Sequence, residues 1–194
     1  MKELKNHTPD ELRRLFPIIL KKHNLDYKFW YAEEKENLLQ ILNDFEVCRM
    51  NHIGSMSVAG LIAKPVIDIL LELPDDYVID SVSFLLQKSG WILMAENDAE
   101  KTIDLNKGYT PNGFEEKIYH LHVKPVGDWN ELYFRDYLQA HSDAAREYET
   151  LKLNLLKRFE YDRDAYTNAK SEFILKCTEK ARNEFGGRYL SPHQ

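Results

Sequence analysis

The chain has 194 residues, of which 43% are hydrophobic and 30% charged, with a formal net charge of −6; that size and balance suit one domain with a sizeable core and exclude a long disordered tract. The acidic charge argues against an extended nucleic-acid surface, whose affinity comes from Lys and Arg neutralising phosphates. Cys48 and Cys177 are too few and too far apart for a disulfide framework or a cysteine zinc site, and no apolar segment approaches the ~20 residues that span a bilayer, so neither a membrane partner nor a location outside the cytoplasm is expected.

In "HTPDELRRLFPIILKKHN", Thr8 is a good N-cap, Pro9 suits the first helical position and Glu11 completes a capping-box pattern. The stretch predicts a helix that Pro17 kinks or interrupts. A second helix is predicted from near Asp26 through "YKFWYAEEKENLLQIL", with Phe29, Trp30, Leu38, Leu39, Ile41 and Leu42 as its apolar stripe. Residues 1–44 would then be an N-terminal helical cover.

From "FEVCRMNHI" the pattern shortens to strand length, and after a Gly-Ser loop "VIDILLEL" predicts a second strand. Both runs are almost continuously apolar, as expected of central strands. Pro74 and Asp75 open a predicted helix, "PDDYVIDSVSFLLQKSG", that closes at Gly90. "WILMAEN" and "EKIYHLHVKP" are further strand candidates, separated by the polar "DLNKGYTPNGFE". Past Asp128, helical spacing with acidic or Ser/Asp starts predicts two or three consecutive helices. The whole reads as a small mixed sheet over 45–127 with helices before it and over 128–194.

Gly54-Ser55 falls where a strand ends. Alone it reads as an ordinary turn; beside a ligand, glycine lets backbone N–H groups approach a phosphate and the serine hydroxyl adds a donor. Asp68 lies in a predicted buried strand, where a carboxylate needs a partner such as a metal ion, a lysine or backbone donors. Two carboxylates at i and i+2 would share one strand face, but position 70 is leucine, and Glu72 is too distant to share an ion with Asp68. His120 and His122 alternate onto one face of a predicted strand. They either bind zinc or a similar ion, with His52 or Asp68 as third ligand, or sit hydrogen-bonded in a polar pocket or shuttle protons. Arg135 and Asp136 either tie a helix to the sheet or leave Arg135 free to fork a phosphate. "KLNLLKRF" and "EKARNEF" read as solvated helix faces.

Taken together, "HIGSMSVAGLIAKPVIDI", "YHLHV", "LYFRDYL" followed by "AAREYETLK", and "YTNAKSEFI" resemble the GrpB family of the nucleotidyltransferase-like superfamily. The resemblance spans nearly the whole chain. It implies an α+β, nucleotidyltransferase-like fold, with Gly54 and Ser55 at a nucleotide-binding position, where Ser57 also falls, and Asp68 at the first metal-binding carboxylate. The usual family stretch resembles H-I-G-S-T-S/A-V-P-G, so Met56 and Ala59 depart from it.

The function expected on these grounds is transfer of a nucleotidyl group from a nucleoside triphosphate to an unknown acceptor. Gly54, Ser55, Ser57 and Lys64 would hold the nucleotide and Asp68 would hold Mg2+, while Lys64 or Arg135 would neutralise charge and His122 or His120 would position or deprotonate the acceptor. One alternative is a lapsed module on the same fold that binds a small phosphorylated or anionic ligand, which Leu70 favours. Another is a metal-dependent hydrolase on His52, Asp68, His120 and His122.

Overall fold

Thr8 caps the first helix as its neighbours demand: its Oγ1 accepts from the Glu11 N–H at 3.3 Å, and the Glu11 carboxylate accepts from the Thr8 N–H at 2.7 Å. In the computed structural model, which describes residues 3–190, this helix is α1 (Pro9–Leu15). It stops before Pro17 instead of kinking there, because the residue before Phe16-Pro17 is the last that can keep helical geometry without the proline ring clashing. The chain then runs extended, and Lys21 bridges Ala63. Helix α2 (Asp26–Ile41) follows, and its buried face is Tyr27, Glu34 and Leu38. Phe29, expected in the apolar stripe, is 68% exposed, whereas Glu34 is buried because Lys107 Nζ reaches its carboxylate at 2.7 Å.

The sheet has five strands, β1 (Arg49–Ile53), β2 (Ile67–Leu73), β3 (Ile92–Asn97), β4 (Thr102–Thr110) and β5 (Gly113–Pro125), in the order β1-β2-β5-β4-β3. Among the described strands, β2 and β5 pair in parallel and the other neighbours antiparallel. The mixed sheet flanked by helices is the α+β class expected. Two strand readings are corrected. β1 is an edge strand, not a central one. The polar stretch taken as a connection is mostly β4: Ile103 and Leu105 are buried while Asp104 and Asn106 alternate to the other face, so its polarity marks a half-polar strand. Gly108 (φ 87°) lies at a break in the β4/β5 register, where a Cβ would stand 2.3 Å from the Lys117 carbonyl oxygen.

Helix α3 (Ile79–Lys88) begins later than Pro74 suggested. Among the described residues four helices, not two or three, follow the sheet: α4 (Asn130–Ala140), α5 (Ser142–Phe159), the short α6 (Arg163–Asn168) and α7 (Ser171–Phe185). None of the described helices is long and apolar enough to cross a membrane.

The two sheet faces differ. On one, Ile67, Ile69, Leu71 and Leu73 of β2 join Leu121, Val123, Ile103 and Leu105 in the main core beneath α2 and α3. The other carries Asp68, Leu70 and Glu72, then His120, His122 and Lys124, then Asp104 and Asn106, and it meets the C-terminal helices. Helix α4 covers its β1/β2 end, where Leu132 packs on Ile53 and Leu70. The helices then pack on one another through Tyr133, Phe134 and Leu138 against Tyr148, Cys177 and Ala181.

One ion pair anchors that end. Glu72 has no exposed side-chain surface, and Arg49 donates to both its oxygens, at 2.6 and 2.9 Å, while the Gly127 N–H donates at 3.1 Å. The same guanidinium reaches the Tyr189 carbonyl at 3.1 Å, beyond α7. Arg49→Ala strands a buried carboxylate, so it is expected to cost about 3–5 kcal/mol in denaturant unfolding, whereas Arg49→Ala combined with Glu72→Leu recovers most of that loss.

Candidate functional site

The site begins at a steric necessity. Gly54 closes β1 with φ 68°, a left-handed value that favours glycine, and a Cβ there would lie 2.1 Å from Asp68 Oδ2. The Ser57 hydroxyl donates to the Gly54 carbonyl at 2.6 Å and holds the turn. Met56, where the family stretch has threonine, is 1% exposed and belongs to the main core, so it anchors the turn from beneath. Ser55 faces the Tyr148 phenol.

Asp68, His120 and Asn106 are in register across β2, β5 and β4. Asp68 Oδ1 lies 3.1 Å from His120 Nδ1, His120 Nε2 lies 2.7 Å from the Tyr109 hydroxyl, and Arg163 Nη2 donates to that hydroxyl at 3.0 Å. Arginine can only donate and a carboxylate only accept. With a neutral imidazole the chain therefore orders itself: Arg163 donates to Tyr109, Tyr109 to His120 Nε2, and the His120 Nδ1–H to Asp68. Burial works to raise the Asp68 pKa, but the His120 hydrogen bond and the charges of His120, His122 and Lys64 bring it below the usual carboxylate value. About a quarter of its side chain, 26%, stays open.

One step along the sheet, His122 Nδ1 meets Asp104 Oδ1 at 2.6 Å. Burial opposes the charged imidazole, yet the hydrogen bond and charge of Asp104, together with Asp68, raise its pKa. The two histidines thus share a face, as their spacing requires, but each has its own carboxylate. Among the described residues no three His, Cys, Asp or Glu side chains gather closely enough to hold a metal ion, which corrects the expectation of Asp68, His120 and His122 as a joint metal centre. His52 is a second correction. It pairs with Ile69, so strand alternation turns it to the α2 side of the sheet, stacked on Tyr31 at 4.9 Å. Burial there pushes its pKa down to about 4.

Arg135 is a third. Its guanidinium donates to Asn51 Oδ1 at 3.1 Å, the His52 carbonyl at 3.2 Å, the Tyr189 hydroxyl at 2.8 Å and Asp136 at 2.9 Å. It ties α4 to β1, which is the structural alternative read from the sequence, and leaves no fork for a phosphate. Leu70 is fully buried under α4, so the position of a second β2 carboxylate is packed with apolar side chains.

Facing Asp68 are Lys64, one of the expected site residues, and Lys170, which has no role in the sequence reading; Lys152 stands beside Lys170. Lys64 Nζ stands 4.9 Å from the centre of the Tyr166 ring, and Lys170 Nζ stands 4.6 Å from the same ring. Lys152 is 2% exposed; its Nζ has no hydrogen-bond partner and lies 4.7 Å from the Tyr148 ring. Among the described residues none of these lysines forms an ion pair. Burial, then repulsion from Lys170 and Arg163, lowers Lys64 to about 7; burial and Lys170 lower Lys152 to about 7; burial lowers Lys170 to about 8, against the pull of Asp68. Lys152 had a legible signal: with Tyr148 and Leu155 it recurs at helical spacing on the buried side of α5. Lys170 lies inside "YTNAKSEFI".

Residues 17–180 match the family described as GrpB protein. The chain belongs to the GrpB family. It is similar to the Glutamate-rich protein GrpB of Alkalihalophilus pseudofirmus, 32% identical over 81% of this chain and 91% of that one, and to a UPF0157 protein of Pseudomonas aeruginosa, 36% identical over 68% of this chain. It spans about half the length of the latter, 54%, and 50% of YqkA, a UPF0157 protein of Bacillus subtilis. A crystal structure of conserved protein GrpB from Enterococcus faecalis superposes with a TM-score of 0.73 at 29% identity, over 86% of this chain and 99% of that one. In this GrpB chain, Gly54, Ser55, Lys64, Asp68 and His120 come together, while Ser57 supports the turn and His122 stands one register step away.

Gly54→Ala in this GrpB protein is expected to destabilise by about 1–3 kcal/mol through the left-handed backbone and to displace the Asp68 carboxylate. Thermal unfolding reads the first effect, and the ring-nitrogen NMR signals of His120, whose Nδ1 meets Asp68 Oδ1 at 3.1 Å, read the second by the loss of that hydrogen bond.

Proposed function

We propose that the polar sheet face around Asp68, together with the lysines of α5–α7 that cover it, binds the phosphate chain of a nucleoside triphosphate or another small phosphorylated ligand. The carrying observation is the set Lys64, Lys170 and Arg163, without an ion pair among the described residues, gathered by Asp68, with Lys152 next to Lys170 and to the Tyr148 that Ser55 meets. Desolvated cations repel one another and destabilise the fold, so a polyanion that enters among them relieves a cost already present. The Gly54 turn supplies the close backbone approach that phosphates favour, and Ser55 supplies a hydroxyl.

Nucleotidyl transfer, the chemistry implied by the family resemblance, asks for Mg2+. The residues fit it in a minimal form: Asp68 Oδ1 is engaged by His120, which leaves Oδ2, and one carboxylate plus substrate phosphate oxygens is a usual holding for this ion. Bound there, Mg2+ would neutralise charge on the phosphates. In that reaction the chain's own residues bind and orient: Lys64, Lys170 and Arg163 hold the phosphate oxygens, and the Arg163–Tyr109–His120 chain fixes the direction of Asp68. A second reading, binding without turnover, is favoured by Leu70 lying buried where another carboxylate would stand.

Titration calorimetry with MgATP, MgGTP and pyrophosphate tests the binding. Lys64→Ala and Lys170→Ala are each expected to weaken affinity about tenfold, roughly 1.4 kcal/mol, and absence of binding to all three ligands overturns the proposal. Release of pyrophosphate in the presence of an acceptor panel separates transfer from binding alone.

The lysines give that affinity a pH dependence. Lys64 near 7 and Lys170 near 8 are charged below those values, so affinity should fall as pH rises from 6.5 to 9, with protons taken up on binding. Calorimetry repeated in buffers of different ionisation enthalpy measures the uptake. For Lys152, the folded pKa of about 7 lies below the ordinary lysine value of 10.5. The unfolded chain therefore binds more protons between these values, and this residue's contribution to stability rises with pH across that window. Lys152→Met should raise stability near pH 7 by on the order of 2 kcal/mol, flatten the pH dependence and weaken pyrophosphate binding; chemical unfolding at pH 7 and 9.5 checks it.

A further inference from the structure

A cavity of about 490 Å³ opens between α1, the β3–β4 hairpin and α6. Its wall is apolar: Leu12, Phe16, Ile92 and Met94. Its inner end carries Asn106, Tyr109 and Arg163. Those three also belong to the site already described. Asn106 is in register with His120 and, through it, with Asp68, and Arg163 donates to the Tyr109 hydroxyl that meets His120. The cavity and the cationic cluster around Asp68 therefore meet along one hydrogen-bonded row, which Arg163 and Tyr109 share.

The shape and lining define what fits. Cavities of 300–1,000 Å³ with apolar walls and a few convergent polar groups suit small molecules. Tyr109 packs edge to face with Phe114 at 5.2 Å and tilted against Phe16 at 5.0 Å, which gives a ring or branched chain an aromatic floor. Met94, 59% exposed at the mouth, adds a flexible apolar side chain that adapts to different shapes. A nucleic-acid strand needs a track of cations and stacking rings along several nucleotides; here Arg13 and Arg163 share the lining with Asp164, Arg13 is paired with Asp10 at 3.1 Å, and the chain as a whole carries −6.

We propose that this cavity is the subsite for a second substrate, a small, uncharged molecule with an apolar or aromatic body and a hydroxyl directed at Asn106 and Tyr109. The inference rests on the phosphate-binding reading only for the role of that molecule as acceptor. In that role, its oxygen forms a bond to the α-phosphorus as the bond from that phosphorus to pyrophosphate breaks. Pyrophosphate departs on the lysine side, and the hydroxyl proton passes to solvent water.

The test uses the full chain labelled with 13C at the methionine methyls, and phenethyl alcohol as the probe. Met94 lines the cavity, Met56 is buried in the main core and Met50 lies on β1, so the three methyls report separately. The expected result is a saturable shift of the Met94 methyl with Met50 and Met56 unmoved. Leu12→Asp should weaken that response at least fivefold while the Met56 methyl keeps its position, which shows that the core is intact. A Met94 shift that never saturates, or equal movement at Met50, overturns the proposal. So does a larger Met94 response to a twelve-nucleotide single-stranded RNA, which would make the cavity part of a nucleic-acid surface. Pyrophosphate added to the same sample tests the other reading separately: if it fails to bind while phenethyl alcohol saturates at Met94, the phosphate reading falls and the cavity remains a small-molecule site.

Discussion

The absence of a side chain at residue 54 is the constraint on which the site depends. Asp68 Oδ2 occupies the space that a Cβ on Gly54 would need, so the turn and the carboxylate are defined by one another. From that contact the remaining geometry follows. Ser57 locks the turn through the Gly54 carbonyl, His120 in the next strand meets the other carboxylate oxygen, Oδ1, and Tyr109 and Arg163 extend the chain of hydrogen bonds to the helical layer that covers this face.

Two carboxylates on β2 show how environment divides identical chemistry. Asp68 and Glu72 share one face of one strand, yet Glu72 is sealed under both donors of Arg49 and a backbone N–H, while Asp68 meets an imidazole and faces cations that do not touch it. The first arrangement satisfies every oxygen and makes structure. The second leaves charge of both signs incompletely paired, which costs stability and is the condition under which a ligand gains from binding.

The sequence carried the fold well where periodicity was strong. The capping box at Thr8, the apolar β2 and the alternating "YHLHV" all stand where their patterns put them, and Gly54, Ser55, Lys64, Asp68 and His120 were named from residue chemistry and from the family resemblance. β4 was missed because half of its residues face a polar site, so it has the composition of a loop. Phe29 was misplaced because a surface aromatic and a core aromatic look alike in one stripe. Arg135 and His52 needed register and neighbours: strand alternation sends His52 to the wrong side, and only the folded chain brings Asn51 and Tyr189 to Arg135. Lys152 read as solvated charge because "KLNLLKRF" is rich in cations, and Lys170 stood inside "YTNAKSEFI" with no role of its own, since only the folded chain brings it to Lys64 and Asp68.

The distribution of charge between the layers also has an energetic meaning. At the β1 end, Arg49, Arg135 and Asp136 lash the sheet to α4 and to the segment around Arg188 and Tyr189 through short hydrogen bonds. At the other end, Lys64, Lys152 and Lys170 push on one another with no ion pair among the described residues to hold them. The two ends of the fold therefore answer differently to the loss of one charged side chain: at the β1 end it strands a buried partner, whereas among the lysines it relieves a repulsion.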